Sequence, residues 1–571
     1  MTDKAKGVYY TPSPVVDYIV RTTLSPLLEG KSPMQLAGRT HSWERDYDSH
    51  PLTILDPACG TGNFPLGAYQ FLLDWCLQWY SEHEPETWSN QPHATICQVE
   101  DRLELTIRER QRILCDHIFG VDIDGHALGL AKQSLLRKMH AEMQSASPIL
   151  ENLRCGNSLI SSDFQPRCDI HTFDWETEFP SVIAAGGFDV IVGNPPYVNA
   201  RLVKQEQGET VKQYYREKYR CARGAFDLYV LFIERSHELL REGGRAGLIV
   251  PNKIATLDYA RPCRELLLTE TTIDTITDVS DLKLFNGANV YPYIVTWTKR
   301  LAAQEHTVQI LKADDLATTG YSHVVRQAAW SAETGIALYN GLDVEARVAT
   351  RPLDRCGSIH SGTTGFCAEQ LAETLREQNR ENEDSEFDFV VSGNVDRYSI
   401  TLGNVRFMKR TFTQPVLAVD TDIISTNKRS LFASPKIVIA GMGRRLEAAF
   451  DPGGLALGVQ VYAVADLAED WRYLLGILNS KLMSYLLRTR FQAKRLAGGY
   501  LAINKSQLAK LPIRRVDEDD QESVIIRDRI IKLVDRLRPM DAKADREIDR
   551  LVFHIYAITE DEIETVQQSP L

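Results

Sequence analysis

The 571-residue sequence lacks several features that would place it in a common class of protein. No apolar run approaches the roughly 18 residues that are needed to span a bilayer. No apolar stretch follows Met1, as it would in a signal peptide. The ten cysteines include no C-x-x-C pair, which argues against a zinc knuckle or a dithiol redox motif. We therefore expect a cytoplasmic protein with free thiols, no bound metal and no membrane partner.

Positive charge is also scarce overall, since 77 Asp and Glu outnumber 65 Lys and Arg and give a net charge of −12. Taken alone, this balance argues against a nucleic-acid partner. Residues 401–515, however, contain 18 Lys and Arg but only 7 Asp and Glu, a net charge of +11, so the rest of the chain carries −23. An acidic body with one basic segment is typical of a protein that binds a polyanion locally. A solvated basic surface is the alternative.

The chain is too long for one ordinary core, so two or three domains are expected. Over residues 1–300, short apolar runs alternate with apolar residues at helical spacing, which predicts a mostly parallel sheet with helices on both faces. The predicted strands are 52–55, 118–123, 188–192, 246–250 and 293–297, and the predicted helices are 64–80, 127–139 and 228–240. Shorter, Gly-rich elements follow up to about residue 515, and helical spacing returns from residue 523.

A Gly-rich turn follows the first predicted strand and consists of Asp56, Pro57, Ala58, Cys59, Gly60, Thr61 and Gly62. Glycines at this place let the backbone approach a ligand at the start of a helix. The third Gly of the dinucleotide fingerprint is missing because Pro65 stands there, so the turn does not indicate NAD.

Polar residues follow two later strands. Asp122 can hold ribose hydroxyls at the end of its strand, although a helix N-cap is the alternative, a role that Asp124 fits better. Asn157 has a side chain that can hydrogen-bond an adenine edge.

The tetrapeptide Asn194, Pro195, Pro196 and Tyr197 follows the strand at 188–192, at the strand end where open α/β sheets bind ligands. The two prolines lack an N–H donor and leave their carbonyls free as acceptors, and Asn194 adds a side-chain acceptor. Together they can accept both hydrogens of an exocyclic amino group. Tyr197 offers a face on which a planar base or amide can stack. An ordinary Pro-Pro turn is the alternative.

These two motifs resemble those of the DNA adenine N6 methyltransferases of restriction–modification systems, in the order found in the gamma (Taq-like) class. The same family has motifs similar to residues 7–12, 226–229, 243–251 and 284–290 of this chain. Residues 473–480, 498–500 and 503–513 are similar to the Taq-like specificity domain. One departure is Asn157, where family members commonly have Asp.

The resemblance implies an α/β fold in three parts. A class I S-adenosylmethionine-dependent methyltransferase domain, Rossmann-like with a seven-stranded, mostly parallel sheet, would span 1–305. An α+β DNA target-recognition domain would span 306–515, and a C-terminal helical segment 516–571. The residues that would bind S-adenosylmethionine are Tyr10, Thr11, Asp56, Pro57, Ala58, Cys59, Gly60, Gly62, Asp122, Ile123, Asn157 and Ser158.

The resemblance also implies the catalytic residues, which are Asn194, Pro195, Pro196, Tyr197 and Phe285. Tyr197 and Phe285 would enclose an adenine that is flipped out of the duplex, because N6 is inaccessible in a stacked helix. An ordinary core position is the alternative for Phe285.

Double-stranded DNA is the partner that follows from the resemblance, with a separate restriction nuclease or defence-complex subunit as a second. The candidate phosphate contacts are Lys409, Arg410, Lys428, Arg429, Arg444, Arg445, Arg488, Arg490, Lys494 and Arg495. Only six residues precede Gly7, and no nuclease motif set is found, so we do not expect this chain alone to cleave DNA.

Other functions remain open on the sequence alone. A glutamine amide in a protein or a base in ribosomal RNA presents the same two amino hydrogens, and cytosine N4 does so too. A separate basic segment after the catalytic part disfavours the glutamine substrate. A DNA-binding defence subunit without catalysis is the remaining alternative, and binding of S-adenosylmethionine would distinguish it.

Overall fold

The computed structural model describes residues 10–39, 50–90, 93–139, 150–164, 171–280, 282, 284, 291–313, 319–333, 335, 336, 338, 342, 344–363, 368–378, 386–490, 501–537 and 541–568. The chain divides into two compact units, Met1–Leu338 and Tyr339–Leu571. No helix in the described part of the chain is long and apolar enough to cross a membrane.

The strands of the first unit are β1 (Ile54–Asp56), β2 (Ile96–Val99), β3 (Arg102–Leu105), β4 (Ile118–Asp122), β5 (Leu153–Cys155), β6 (Phe188–Gly193), β7 (Leu240–Pro251), β8 (Thr272–Asp278), β9 (Pro292–Thr298), β10 (Thr307–Ala313) and β11 (Thr319–Arg326). Nine of these strands form one sheet in the order β11-β10-β8-β9-β7-β6-β1-β4-β5. From β5 to β7 all neighbours are parallel. Strand β9 is antiparallel to both of its neighbours.

The seven strands from β5 to β8 in this order form the mostly parallel class I methyltransferase sheet that the resemblance implies. The sheet exceeds the expected seven strands, because β10 pairs in parallel with β8 and β11 pairs with β10. These two strands lie beyond the predicted domain boundary at residue 305, so the first compact unit extends to Leu338. Strand β10 alternates between buried and exposed residues, so it lacks the continuous apolar run by which the buried strands were predicted.

The helices of the first unit are α1 (Ser13–Leu28), α2 (Pro33–Leu36), α3 (Asn63–Glu82), α4 (Pro85–Ser89), α5 (Ile107–His117), α6 (Gly125–Met139), α7 (Trp175–Glu178), α8 (Pro180–Ala184), α9 (Ala200–Gln207), α10 (Glu209–Lys218), α11 (Leu228–Leu239) and α12 (Arg261–Glu270). Helices α3, α6 and α11 confirm the three predicted helices. In α3, buried Phe64, Ala68 and Leu72 recur every four residues and share one face of the helix.

The strands of the second unit are β12 (Thr350–Pro352), β13 (Ser358–Ser361), β14 (Arg376–Glu377), β15 (Glu386–Val390), β16 (Val395–Asp396), β17 (Ser399–Ile400), β18 (Val405–Phe407), β19 (Arg410–Phe412), β20 (Pro415–Ala418), β21 (Lys436–Ala440), β22 (Met442–Gly443), β23 (Ala448–Asp451), β24 (Leu455–Leu457), β25 (Val461–Ala465), β26 (Leu501–Ala502) and β27 (Pro512–Arg514). Two four-stranded sheets have the orders β13-β25-β21-β23 and β14-β20-β15-β24.

The helices of the second unit are α13 (Ala368–Thr374), α14 (Thr426–Ala433), α15 (Trp471–Leu478), α16 (Lys481–Arg490), α17 (Lys505–Ala509), α18 (Gln521–Arg536), α19 (Ala542–Ile555) and α20 (Glu560–Gln568). The C-terminal helices belong to this unit's core, where Ile530 of α18 and Ile548 of α19 lie in one apolar cluster with Leu474 of α15. Helices α15 and α18 approach so closely that a Cβ added to Gly476 would lie 2.5 Å from a methyl carbon of Ile530.

A buried histidine fastens the end of α5 to the segment that leads into β1. The Nδ1 atom of His117 lies 2.6 Å from the carbonyl oxygen of Leu52. Burial, reinforced by the positive charge of Arg112, lowers the pKa of His117 from its ordinary 6.5 to about 4. The imidazole is therefore neutral in the folded protein at neutral pH.

This histidine should make the first unit less stable as the pH falls from about 6.5 to about 4. In that window the unfolded chain binds a proton at His117 that the folded chain does not, so proton binding lowers the free energy of the unfolded state relative to the folded state. The full effect corresponds to about 3 kcal/mol. His117→Gln should flatten this part of the pH profile of the melting temperature measured by differential scanning fluorimetry. Parallel profiles for the two proteins would show that His117 does not contribute.

Candidate active site

Two of the predicted motifs meet at the carboxyl edge of the sheet. Strands β1 and β6 are parallel neighbours with Ile54 opposite Val190, so Asp56 and the segment after Val192 leave the sheet side by side. A Cβ added to Gly193 would lie 2.9 Å from the Oδ1 atom of Asp56. A side chain at position 193 would therefore displace the Asp56 carboxyl group.

The turn after β1 depends on two glycines in the left-handed region of φ. Gly60 has φ of +52° and Gly62 has φ of +89°. The Cys59 N–H donates to the carbonyl oxygen of Val121 in β4 at 2.9 Å, which ties the turn to the neighbouring strand. A Cβ on Gly62 would lie 2.7 Å from the Cβ of Ala131 in α6, whereas a Cβ on Gly60 would meet no atom within 4 Å. Gly62 thus permits close packing, and Gly60 borders open space.

Two acidic side chains, one in the turn and one at the end of β4, bond to the backbone here. Asp56 is buried, and its Oδ1 accepts a hydrogen bond of 3.0 Å from the Ala58 N–H. Burial, with a further contribution from the negative charge of Asp122, raises the pKa of Asp56 to about 8. Asp122 accepts hydrogen bonds from the N–H groups of Gly60 at 2.7 Å and Asp124 at 2.8 Å. Burial also raises the pKa of Asp122. Ionising either carboxyl group at this edge of the sheet therefore costs free energy unless a positive charge or a hydrogen-bond donor compensates it.

The alternative role of helix capping falls to Asp124 and not to Asp122. The Oδ1 atom of Asp124 accepts from the N–H groups of His126 at 2.9 Å and Ala127 at 3.2 Å, which is the geometry of an N-cap for α6. Next to it, the Ile123 side chain is 57% exposed. An exposed apolar side chain beside the Asp122 carboxylate offers a planar ligand a surface to stack on.

The third predicted segment, with Asn157 and Ser158, bonds to the turn through Ser158. The Ser158 hydroxyl donates to the Pro57 carbonyl oxygen at 2.6 Å, and the side chain is buried. The Oδ1 atom of Asn157 accepts from the Leu159 N–H at 3.0 Å, and its amide also bonds to Tyr215. Ser158 therefore supports the turn directly, whereas the bonds of Asn157 hold its own segment and connect it to α10.

The tetrapeptide after β6 is fastened by the segment that precedes α1. The Nδ2 atom of Asn194 donates to the Thr11 hydroxyl at 3.1 Å, and Asn63 at the start of α3 donates to the Thr11 carbonyl oxygen at 3.2 Å. Thr11 is buried. Of the two predicted residues in this segment, Thr11 therefore bridges the turn and the tetrapeptide, whereas Tyr10 is 72% exposed. Pro195 is buried and Pro196 half-buried.

The ring of Tyr197 is held from two sides. Its hydroxyl donates to the Ile249 carbonyl oxygen in β7 at 3.1 Å. Its ring meets that of Tyr229 edge to face, with centroids 6.3 Å apart. Tyr229 in turn lies 3.1 Å from the hydroxyl of Tyr259, which donates to the Oδ2 atom of Asp227 at 2.8 Å. Tyr197 thus has a defined orientation before any ligand binds.

The structure brings together every predicted site residue that it describes except Tyr10, whose side chain points to solvent. Phe285, with residues 7–9 of the leading motif, lies outside the described residues. The described part of the chain contains no group of three or more His, Cys, Asp or Glu side chains that could hold a metal ion.

Sequence reasoning missed two supporting contacts. Asp189 in β6 accepts from the Thr53 N–H at 2.8 Å and from the Thr53 hydroxyl at 3.0 Å, which locks β6 against the start of β1. A charged residue inside the otherwise apolar strand 188–192 was the available signal. No sequence pattern indicated the role of Tyr259, because its partners Tyr229 and Asp227 lie about 30 residues away in the sequence.

The basic residues proposed as phosphate contacts differ in their surroundings. Lys428 donates to the carbonyl oxygens of Ser361 and Gly362, and Arg429 to those of Val419 and Thr421. Arg488 is buried. These three residues support the fold of the second unit. Those with exposed side chains are Lys409, Arg410 and Arg444, and Arg445 is half-buried. The side chains of Arg490, Lys494 and Arg495 lie outside the described residues.

Two family models match the chain. Residues 116–285 match the Eco57I restriction-modification methylase, and residues 389–513 match the TaqI-like C-terminal specificity domain.

The known proteins that are similar in sequence include the following two. The type II restriction enzyme and methyltransferase RM.Eco57I of Escherichia coli is 28% identical over 305 residues, which cover 52% of this chain and 28% of that protein. The adenine-specific methyltransferase PglX of Streptomyces coelicolor is 25% identical over 274 residues, which cover 43% of this chain and 19% of that protein. The chain therefore matches less than a third of the length of either relative.

A solved structure shares the fold. The type IIL restriction-modification enzyme MmeI in complex with DNA aligns with a TM-score of 0.53 and 14% sequence identity, covering 90% of this chain and 73% of that one.

The two glycines of the turn provide a matched test of its geometry. Gly60→Ala and Gly62→Ala place a side chain at similar positive φ, but only the second brings a Cβ to 2.7 Å from another Cβ. Each should cost about 1–2 kcal/mol for the left-handed backbone, and Gly62→Ala should cost about 1–3 kcal/mol more for overpacking. The measurement is urea unfolding followed by circular dichroism. Equal losses for the two variants would contradict the close contact between the turn and α6.

Proposed function

Because the chain carries an Eco57I-like methylase domain followed by a TaqI-like specificity domain, as its motifs predict, we propose that it is a site-specific DNA methyltransferase. The methyl group would come from S-adenosylmethionine and go to the N6 amino group of an adenine that is flipped out of double-stranded DNA. The Streptomyces relative is named as adenine-specific, which favours adenine over cytosine as the target.

One observation carries this proposal. The tetrapeptide 194–197, rich in hydrogen-bond acceptors, lies directly beside the Gly-rich turn 56–62, at the carboxyl ends of two parallel neighbours. This is the edge at which open α/β sheets bind their ligands. A ligand in the turn and an amino group at the tetrapeptide would therefore be adjacent.

The residues of the turn fit S-adenosylmethionine, which supplies a methyl group bonded to a positively charged sulfur. Asp122 accepts two backbone hydrogen bonds, and a carboxylate has about four acceptor sites, so ribose hydroxyls can still bind it. The exposed Ile123 side chain suits the adenine ring, with Asn157 near its edge and Ser158 supporting the turn. Asp56, with its raised pKa, suits a cationic ligand. Pro57, Ala58, Cys59, Gly60 and Gly62 complete the backbone of the binding surface, and Tyr10 and Thr11 would lie against its methionine part.

The tetrapeptide supplies acceptors for the amino group of the base. The side-chain carbonyl of Asn194 and the main-chain carbonyl of Pro195 would each accept one amino hydrogen, which orients the nitrogen lone pair toward the methyl donor. Pro196 fixes the backbone that holds these acceptors. Preorganised acceptors of this kind would accelerate the transfer by positioning the amino group, and the proton that the methylated nitrogen must then lose would pass to solvent.

Tyr197 would bind the flipped base by stacking. Stacking on an aromatic side chain is worth about 1–3 kcal/mol per base, which offsets much of the cost of unstacking. The bonds of Tyr197 to Ile249 and its contact with Tyr229 keep the ring oriented for this role. Phe285 on the opposite face of the base remains a prediction.

DNA would bind through the second unit. This unit holds the basic segment 401–515, whose net charge is +11 within a chain of net charge −12. Binding should weaken steeply as the salt concentration rises. We also propose a separate restriction nuclease or defence-complex subunit as a partner, since the Escherichia coli relative is named both a restriction enzyme and a methyltransferase.

The proposal is tested by incubating the chain with S-adenosylmethionine and unmethylated plasmid DNA, followed by mass spectrometry of the nucleosides. N6-methyladenine is the expected product. Detection of N4-methylcytosine instead would show that the target base is cytosine and not adenine. If labelled S-adenosylmethionine in cell extract transferred its methyl group to protein or RNA but not to DNA, the substrate would be protein or RNA. A chain that shows no thermal shift with S-adenosylmethionine would be a non-catalytic subunit.

Asn194→Ala should lower methyl transfer by at least about 100-fold, because a preorganised acceptor for the reacting amino group is lost. DNA affinity should stay within several-fold of the wild type, since base recognition resides in the second unit. Asn199→Ser is the matched control. Asn199 lies close in sequence, its side chain is exposed, and it forms the N-cap of α9, which Ser can also form. Full activity of Asn194→Ala in the nucleoside assay would refute the role of Asn194.

The affinity for S-adenosylmethionine should increase as the pH rises toward about 8. Below that pH the buried Asp56 carboxyl group is protonated in the free protein, and a cationic ligand that favours the ionised form must displace the proton. The increase should be at most about tenfold per pH unit. Dissociation constants from isothermal titration calorimetry between pH 6 and pH 9 measure it.

Asp56→Asn is the control for this pH dependence. Any titration of the ligand itself is common to both proteins, so the difference between their profiles isolates Asp56. Superimposable profiles would show that the Asp56 proton is not linked to cofactor binding.

A further inference from the structure

The hairpin formed by β18 and β19 in the second unit presents side chains that the unit itself does not use. The two strands pair with Val405 opposite Phe412 and Phe407 opposite Arg410, and Met408 and Lys409 form the turn. Val405 and Phe407 are buried, whereas Arg406 between them is exposed. The hairpin therefore has one face in the core and one face, with its tip, in solvent.

The hairpin is held by the rest of the second unit both next to its turn, at Phe407 and Arg410, and at its base. The ring of Phe407 packs against Phe389 with centroids 5.0 Å apart. The Arg410 guanidinium donates to the Ala372 carbonyl oxygen at 3.1 Å. The Glu377 carboxylate accepts from the N–H groups of Thr413 at 2.8 Å and Gln414 at 2.7 Å. These contacts fix the direction of the hairpin, so its tip side chains are preorganised for contact with a partner.

The tip keeps side chains where glycine would fold at lower cost. Met408 has φ of +46° and Lys409 has φ of +66°. Two-residue hairpin turns with positive φ at both positions favour Asn-Gly or Gly-Gly, because other side chains are strained there. Met408 is 41% exposed, and Lys409 is exposed too, so packing in the core does not account for either side chain. Strain retained at an exposed tip points to a function of the side chains themselves.

The charged residues of the hairpin and of the segments on either side of it are all basic. Residues 397–419 contain four Arg and Lys and no Asp or Glu. Among the described residues, Arg397 pairs with Asp545 and is buried, whereas neither Arg406 nor Lys409 has an ion-pair partner. These two exposed cations are therefore available to an anionic partner, in contrast to Lys428 and Arg429, which are bonded to backbone carbonyls.

We propose that the hairpin 405–412 enters the major groove of duplex DNA, an inference that rests on the proposed function. The major groove is about 12 Å wide and admits a two-stranded β-ribbon. Arg406 on the flank contacts phosphate, while Lys409 at the tip contacts a base edge. Guanine is the base that its donors fit, through O6 and N7, and Met408 supplies an apolar contact beside it.

Lys409→Gly tests this placement without endangering the fold, because glycine relieves the strained φ as it removes the cation. Asn404→Gly is the matched control, since Asn404, directly before the hairpin, has φ of +51° but carries no charge. Lys510→Ala, at an exposed lysine elsewhere in the second unit, controls for the loss of charge alone. The probes are two duplexes, one with the site mapped from wild-type methylation and one with that site scrambled.

Lys409→Gly should weaken binding to the site duplex by about 5- to 150-fold, the range for one base-edge contact. Binding to the scrambled duplex should change far less, and the melting temperature should not fall. Both controls should bind the site duplex like the wild type. Methylation mapped by sequencing should show relaxed preference at one G·C position.

Unchanged affinity of Lys409→Gly for the site duplex would overturn the placement of the hairpin and leave the proposed function intact. An equal loss in Lys510→Ala would also overturn it, because general charge would then explain the effect. A wild-type chain that methylates RNA or protein and ignores duplex DNA would refute the proposed function itself, and the hairpin inference with it.

Discussion

The approach of Asp56 to Gly193 is the contact on which the candidate site depends. It exists because β1 and β6 are parallel neighbours whose ends coincide, so that the turn and the tetrapeptide leave the sheet together. The absence of a side chain at Gly193 lets the Asp56 carboxyl lie against β6, with the Cβ position only 2.9 Å away. Asp189 holds the same pair of strands in register from within, through its two bonds to Thr53. The position of the site is therefore a consequence of strand pairing, which determines where the turn and the tetrapeptide begin.

The parts of the fold that were predicted from sequence are those with a local signal. Strands β1, β6 and β9 are fully buried and read as continuous apolar runs, and helices α3 and α11 have apolar residues at helical spacing. Strand β10, which lies beyond the expected domain boundary at residue 305, is an exception because one of its faces is partly exposed, which removed the signal. The pairing of the C-terminal helices with α15 depends on Gly476 and Ile530, which lie far apart in sequence.

The same distinction holds within the site. The turn 56–62, Asp122 and the tetrapeptide were recognisable because each follows a strand in sequence. The bond from Asn194 to Thr11 joins residues that lie 183 positions apart in the sequence, and no local pattern predicts it. Among the basic residues, net charge was predictable, but the separation of Lys428, which is bonded to carbonyls, from the exposed Lys409 depends on three-dimensional surroundings. Composition therefore locates a basic segment and structure selects the side chains within it.

Asp56 of the turn and Asp122 at the end of β4 place an electrostatic cost at the centre of the site. Both carboxyl groups are desolvated, the charge of Asp122 raises the cost of ionising Asp56, and the backbone N–H groups of Ala58, Gly60 and Asp124 compensate only in part. A chain selected for stability alone would replace a buried carboxyl whose pKa reaches about 8 with an apolar residue. A positively charged ligand would remove the cost at the place where it arises, because it stabilises the ionised form that burial disfavours. Below about pH 8 a proton on Asp56 removes this cost in the free protein, so the ligand would have to displace that proton, at the expense of affinity. Above that pH the carboxylate is charged in the empty site, and relief of its desolvation cost would contribute to the ligand's binding energy.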